Sequence, residues 1–204
     1  YTEVLTFSFL PEDFPEKLRL PADDVRARPL TIGNPISRDQ MAMRTTLLPG
    51  LLAGLKVSVT SGWREPVRIF EQGRVFLRDG ENSHTETEHV AGLSFNGADT
   101  RSPSGNRSED FYSIKADVEA LITKRGYRAE FVAGHEPFMH AGQTADILVN
   151  GKKVGCIGRI KPAIEQELDV EKVYAFEIDT TALNEAKKPV FTPASSFPAS
   201  FRDI

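Results

Sequence analysis

Several clusters in the sequence have residue types able to hold a metal, an anion or a proton. His84-Thr85-Glu86-Thr87-Glu88-His89 sets two imidazoles beside two carboxylates, a donor set suited to zinc. In an extended chain His84, Glu86 and Glu88 face one way and His89 the other. The order also lacks the HExxH spacing that brings two histidines onto one helical face. A solvated loop or sheet edge is therefore the favoured reading. His135 and His140, near Met139 and Gly142, are placed in a loop between strands, where they would serve an anion or substrate; a structured turn with exposed imidazoles is favoured. Cys156 falls on an inner strand and reads as a buried inert thiol. Gly151, Gly155 and Gly158 invite a phosphate-loop reading but fail it, because no helix N-terminus follows at the required spacing. No nucleophile elbow and no Ser-His-Asp arrangement is visible.

Composition narrows the classes further. A chain of 204 residues suffices for one sizeable domain, and 40% hydrophobic with 26% charged residues is ordinary for a globular one. A lone cysteine excludes an internal disulfide and a multi-cysteine zinc site, and it fits a reducing, cytoplasmic setting. No apolar run approaches the ~20 residues that span a bilayer. A net charge of −4 disfavours a dominant grip on nucleic acid, which needs a basic surplus to displace counterions. Tyr1, lying in strand-like sequence, and the close at Arg202-Asp203-Ile204 make both ends read as cut from a longer protein, with residues 1–204 one domain.

The elements that must position these groups follow from periodicity. Residues 2–10 read as a strand, Phe14 to Leu18 as a helical turn, and residues 29–32 as a short strand. Met43 to Val59 is the clearest helix, with Leu48, Leu51, Leu52, Leu55 and Val59 at helical spacing and Thr45 or Thr46 as cap. These leucines are expected first to face the domain's own sheet, yet Leu47, Leu48, Leu51 and Leu52 are too many for one narrow stripe, and burial on several sides often means a partner helix as well. Strands are expected over 67–76 and 89–95, joined by a long charged connection from Leu77 to Glu88, and a flexible loop over 97–109. Asp110 caps a second helix with Phe111, Ile114, Val118, Leu121 and Ile122 on one face and Gly126 as its stop. Strands over 145–149 and 154–160 flank the Asn150-Gly151 turn. A short helix begins at Pro162, a strand runs from Val173 to Ile178, and a helical turn follows. The sum is an α+β domain on an antiparallel sheet.

Seven stretches, in order, resemble the beta subunits of bacterial-type phenylalanyl-tRNA synthetases. They are Tyr1-Thr2-Glu3-Val4 with Phe7-Ser8-Phe9; Asn34-Pro35 with Met43-Arg44-Thr45-Thr46-Leu47-Leu48-Pro49-Gly50-Leu51-Leu52; residues 69–76 (IFEQGRVF); Asp110-Phe111-Tyr112 with Lys115, Val118 and Glu119; residues 140–145 (HAGQTA); Gly155 to Pro162; and Phe197-Pro198 with Arg202-Asp203-Ile204. The resemblance implies a class II synthetase-like fold, in a copy of the catalytic domain that has lost its chemistry. The catalytic alpha subunit would be its partner, in an α2β2 enzyme with a second beta subunit, charging tRNA-Phe with phenylalanine in the cytoplasm. That whole enzyme would use ATP and magnesium; no catalytic residue, metal or cofactor is expected in this chain. By the same resemblance Asn34, Pro35, Arg44, Thr45, Leu47, Leu48, Pro49, Leu51, Leu52 and Leu55 would form the partner interface. Class II catalysis also holds ATP through an arginine in a glycine-rich motif, and residues 173–183 carry neither residue type. The pair Glu177 and Asp179 there would repel triphosphate. Ala141, Gln143 and Arg159-Ile160-Lys161 depart from the family pattern. Two alternatives are an active class II ATP-dependent ligase domain and a tRNA-contacting module.

Overall fold

The computed structural model describes residues 1–63, 65–80, 83–96, 98–99 and 107–187. The Phe197 to Ile204 stretch lies outside them. In chain order come β1 (Thr2–Glu3), β2 (Phe9–Leu10), α1 (Phe14–Lys17), β3 (Ala42–Met43), α2 (Leu48–Thr60), β4 (Val67–Arg78), β5 (His84–Phe95), β6 (Ala98–Asp99), β7 (Arg107–Ser108) and α3 (Phe111–Lys124). Then follow β8 (Ala129–Ala133), β9 (Met139–Val149), β10 (Lys152–Ile160), α4 (Pro162–Glu167), β11 (Tyr174–Asp179) and α5 (Thr180–Glu185). Short 3-10 turns lie at Val25–Ala27 and Arg38–Gln40.

Seven strands make one sheet in the order β1-β4-β5-β11-β10-β9-β8. All pairs are antiparallel except β1 with β4. The β4–β5 and β9–β10 hairpins account for part of this pattern, since a tight turn can only return the chain antiparallel. In the β9–β10 hairpin Val149 pairs with Lys152, and Asn150 and Gly151 take φ of +53° and +76°, the two left-handed positions such a turn demands. The β4–β5 hairpin runs unbroken from Val67↔Phe95 to Arg78↔His84. The expected long connection is therefore mostly strand: alternating β-branched residues, Thr85 and Thr87, favour the ladder despite the charges between them.

Each face of the sheet carries its own apolar core. On one, α2 packs with Val67, Val75, Ala91, Leu93, Ala175, Cys156 and Ile160. On the other, Ile114, Val118 and Ile122 of α3 meet Ile147, Ile157, Phe176, Ile178 and Leu183. Asp110 caps α3 by accepting from the Ser113 N–H at 2.9 Å, and Gly126, at φ +85°, ends it. Leu121, expected on the buried face, is instead 39% exposed, since it sits between the two inward turns.

Three expectations near the N-terminus change. Residues 2–10 split between two sheets, β1 beside β4 and β2 beside β3, because the chain crosses over α2 between them. Residues 29–32 form only a single bridge, Thr31↔Ala42. The helix starts at Leu48, not Met43, because Met43 is committed to β3 and Arg44 to a hydrogen bond with Ser8 O. Of the loop expected over 97–109, β6 and β7 form a two-stranded ribbon.

Candidate functional site

The segment from Asn34 to Leu55 is pinned from three sides. Arg44, 5% exposed, makes a 2.7 Å ion pair with Glu71 through Nη1, and its Nε donates to Arg74 O at 2.8 Å. Thr6 Oγ1 donates to Glu71 Oε2 at 2.6 Å, so the crossing chain, the β3–α2 connection and β4 share one buried charge pair. Gly73 is required here, because a Cβ at that position would strike the Arg44 guanidinium. Thr45 Oγ1 donates to Arg26 O at 2.9 Å.

Thr46 and the Leu47 N–H meet Glu177 from β11. Thr46 Oγ1 donates to Glu177 Oε2, the Leu47 N–H donates to Oε1 at 3.1 Å, and His89 Nδ1 lies 2.7 Å from the same oxygen. A carboxylate facing the start of a helix also meets the positive end of its dipole. Burial pulls the Glu177 carboxyl up, but the hydrogen bond and charge of His89, with Thr46 and the Leu47 N–H, outweigh it and hold the group below its ordinary range.

These contacts redefine the candidate interface residues. Leu47, Leu48, Leu51 and Leu55 have no exposed surface and Leu52 has 5%; all pack into the chain's own core. Arg44 and Thr45 are likewise buried. Of the ten residues only Asn34 and Pro35 are exposed, with Pro49 half-buried. What faces solvent instead is an apolar row on the crossing segment between β1 and β2 and at the start of β2: Leu5, Phe7 and Phe9 are 85%, 72% and 39% exposed, while Val4, Thr6, Ser8 and Leu10 are half-buried. Ile36, 91% exposed, lies on the adjoining loop. The odd positions Leu5, Phe7 and Phe9 are all apolar while Thr6 and Ser8 between them are polar, a pattern that by itself would have placed the apolar side inward.

The other candidates separate cleanly. His84, Glu86 and Glu88 do share one side of β5, and His89, on the other, belongs to the Glu177 cluster. Among the described residues no group of three potential ligands is gathered for a metal. His140 lies on β9 rather than in a loop, its Nδ1 accepting from the Gly142 N–H at 3.0 Å, and His135 is exposed. Their segment matters for a different residue: Glu136, 6% exposed, is ion-paired with Arg26 at 2.9 Å and Lys153 at 2.9 Å. Burial and the charges of Glu136 and Glu177 push the Cys156 thiol well up. Gly155 and Gly158 are strand glycines of β10, in close contact with the neighbouring strands.

At the β11–α5 corner Asp179 caps α5 by accepting from the Ala182 N–H at 2.8 Å. Glu177 and Asp179 are thus both spent on structure, and neither stands as a free charge repelling a nucleotide. Arg159, a departure from the family pattern, chelates Glu165 with Nε–Oε1 at 3.1 Å and Nη2–Oε2 at 2.6 Å. Glu165 also accepts from the Val173 N–H at 2.8 Å, so this substitution fastens α4 to the entry of β11.

Residues 1–180 match the family described as phenylalanyl tRNA synthetase beta chain CLM domain. Similar proteins named phenylalanine–tRNA ligase beta subunit occur in Nitrosococcus oceani, 36% identical over the whole chain and 26% of that relative's length. One from Francisella tularensis is 36% identical over 100% of the chain and 25% of its own length. Another, from Carboxydothermus hydrogenoformans, is 32% identical over 99% of the chain and 26% of its own length. The chain spans about a quarter of the length of the curated relatives it matches.

Proposed function

The chain belongs to the phenylalanyl-tRNA synthetase beta chain family, and from that membership we propose that it is a non-catalytic scaffold module of a phenylalanine–tRNA ligase. In this reading it is a class II-like domain without the chemistry, and it holds the catalytic alpha subunit within an α2β2 assembly in the cytoplasm. The whole enzyme would consume ATP with magnesium and charge tRNA-Phe. The observation that carries the reading is the apolar row Leu5, Phe7 and Phe9, bare yet held on a frame fixed by the buried Arg44–Glu71 pair. Contiguous apolar surface on a rigid support is what a permanent subunit contact requires. The β11–α5 corner agrees, since residues 173–183 contain no arginine or glycine to grip phosphate.

The leucines of α2 would then act from behind, by shaping the surface, while Leu5, Phe7, Phe9, Ile36, Asn34 and Pro35 touch the partner. Mixing the chain with its cognate alpha subunit and following the complex mass by light scattering tests this. A heteromeric complex that is lost in Leu5→Asp/Phe7→Asp, with the thermal unfolding of the chain unchanged, is expected. No association between two folded proteins would sink the proposal. Adenylate formed by this chain alone would instead revive an active ligase domain, and a salt-sensitive affinity for tRNA a nucleic-acid module.

A further inference from the structure

The two sheet faces are not equally covered. On the side opposite α2, α3 lies over β11, β10 and β8 and the short α5 packs against β5, and among the described residues these helices leave part of that face uncovered. A cleft of about 540 Å³ opens there, within the range that holds small organic ligands. Its apolar wall is made by Phe70, Val90, Phe176, Ile178, Leu121 and Leu183. Tyr1 closes one end, its ring edge-on to Phe176 at 6.3 Å and under the Arg68 guanidinium at 4.4 Å.

Charge at the mouth is asymmetric. At the Tyr1 end Asp117 shares the Arg68 guanidinium with Glu109 and accepts from the Tyr1 hydroxyl at 3.1 Å, so that end carries no spare cation. Lys124 and Arg125 line the same cleft from the end of α3, are exposed, and have no side-chain ion pair or hydrogen bond among the described residues. An apolar hollow with unpaired cations at its lip complements a molecule with an apolar body and an anionic head.

We propose that this cleft is a binding site for a small amphiphilic anion, an aryl or medium-chain alkyl carboxylate or sulfonate, with its body on Phe70 and Phe176 and its head at Lys124 and Arg125. The site is independent of the subunit-binding reading, because the apolar row at Leu5 and Phe7 is not among its walls.

The probes are 8-anilinonaphthalene-1-sulfonate, followed by fluorescence, and octanoate as competitor, with backbone amide shifts mapping where each binds. Saturable binding is expected, displaced by octanoate but not by octanol at equal concentration, with shifts centred on Gln72, Ala120 and Leu121. Ala120→Phe, which fills the hollow from an exposed position of α3, should abolish it. Lys124→Glu/Arg125→Glu should weaken it roughly tenfold, and raised salt should weaken it in the parent but not in that variant. Leu5→Asp/Phe7→Asp should leave it unchanged. No saturable binding up to about 1 mM, shifts centred elsewhere, or equal displacement by octanol would overturn the proposal.

Discussion

The two faces of the sheet solve the same problem in opposite ways. The α2 face covers its apolar residues with a leucine-rich helix and then fixes that helix with buried charge, Glu71 on Arg44 and Glu177 on Thr46, Leu47 and His89. The α3 face covers only part of its apolar surface and ties its helix down more lightly: Arg68 of β4 pairs with Asp117 of α3 and with Glu109 beside the exposed Asp110 cap, and Ser94 Oγ donates to Glu109. Buried charge pairs do little for stability against an apolar alternative, but they penalise every arrangement that leaves them unpaired. The α2 face thus reads as a surface whose shape must not vary, whereas the α3 face leaves room to be filled.

Breaking the pins should show this contrast most strongly. Arg44→Leu strands Glu71 in the core and is expected to cost about 3–5 kcal/mol, read as a lowered denaturation midpoint. Leu51→Ala opens a cavity in the same face, with a loss of about 2–5 kcal/mol. Both changes leave the surface row untouched, so a folded fraction that still binds the partner would separate shape from contact. Acid should act on the same face. Glu177 has its carboxyl held below the ordinary value of 4.5, so its contribution is present above that pH and is lost as pH falls through the depressed value. Stability measured across pH 3–6 should drop on the acid side, and Glu177→Gln should be less stable at neutrality with a flatter acid limb. On the open face, Ala120→Phe should change stability by no more than about 0.5 kcal/mol. A large loss there would mean that the cleft is a packed core and the contrast between faces is false.

Much of this was legible from residue order. The Asn150-Gly151 hairpin, the Asp110 cap and the leucine spacing of α2 are local signals, and the hairpin and α3 stand where they put them, while α2 begins five residues later than its pattern suggested, at Leu48 rather than Met43. The antiparallel α+β architecture followed from them. The part that was not legible depends on contacts distant in sequence. Arg44 meets Glu71 across 27 positions and Thr46 meets Glu177 across 131, and nothing local marks either carboxylate as a partner. The leucines of α2 lie in the core, as their spacing favoured, while the interface role came only from the family resemblance, and the outward Leu5–Phe7–Phe9 row was hidden inside what looked like a single strand.

Cys156 offers the smallest and most delicate probe of the contrast. It lies in the α2-face core at 6% exposure, beside a polar pocket of about 200 Å³ whose walls include Glu136 and Glu177. Burial and those two carboxylates keep the thiol protonated, and only the thiolate reacts. The native chain should therefore label with methyl methanethiosulfonate, a neutral reagent, only as fast as it opens, and fully in denaturant. Because opening of a well-pinned region is close to global unfolding, the labelling rate should track the stability of the Arg44→Leu and Leu51→Ala variants. Rapid labelling of the unaltered chain, with no dependence on those substitutions, would mean that the α2 face opens locally despite its buried charges. The pins would then set the position of the helix without setting its rigidity.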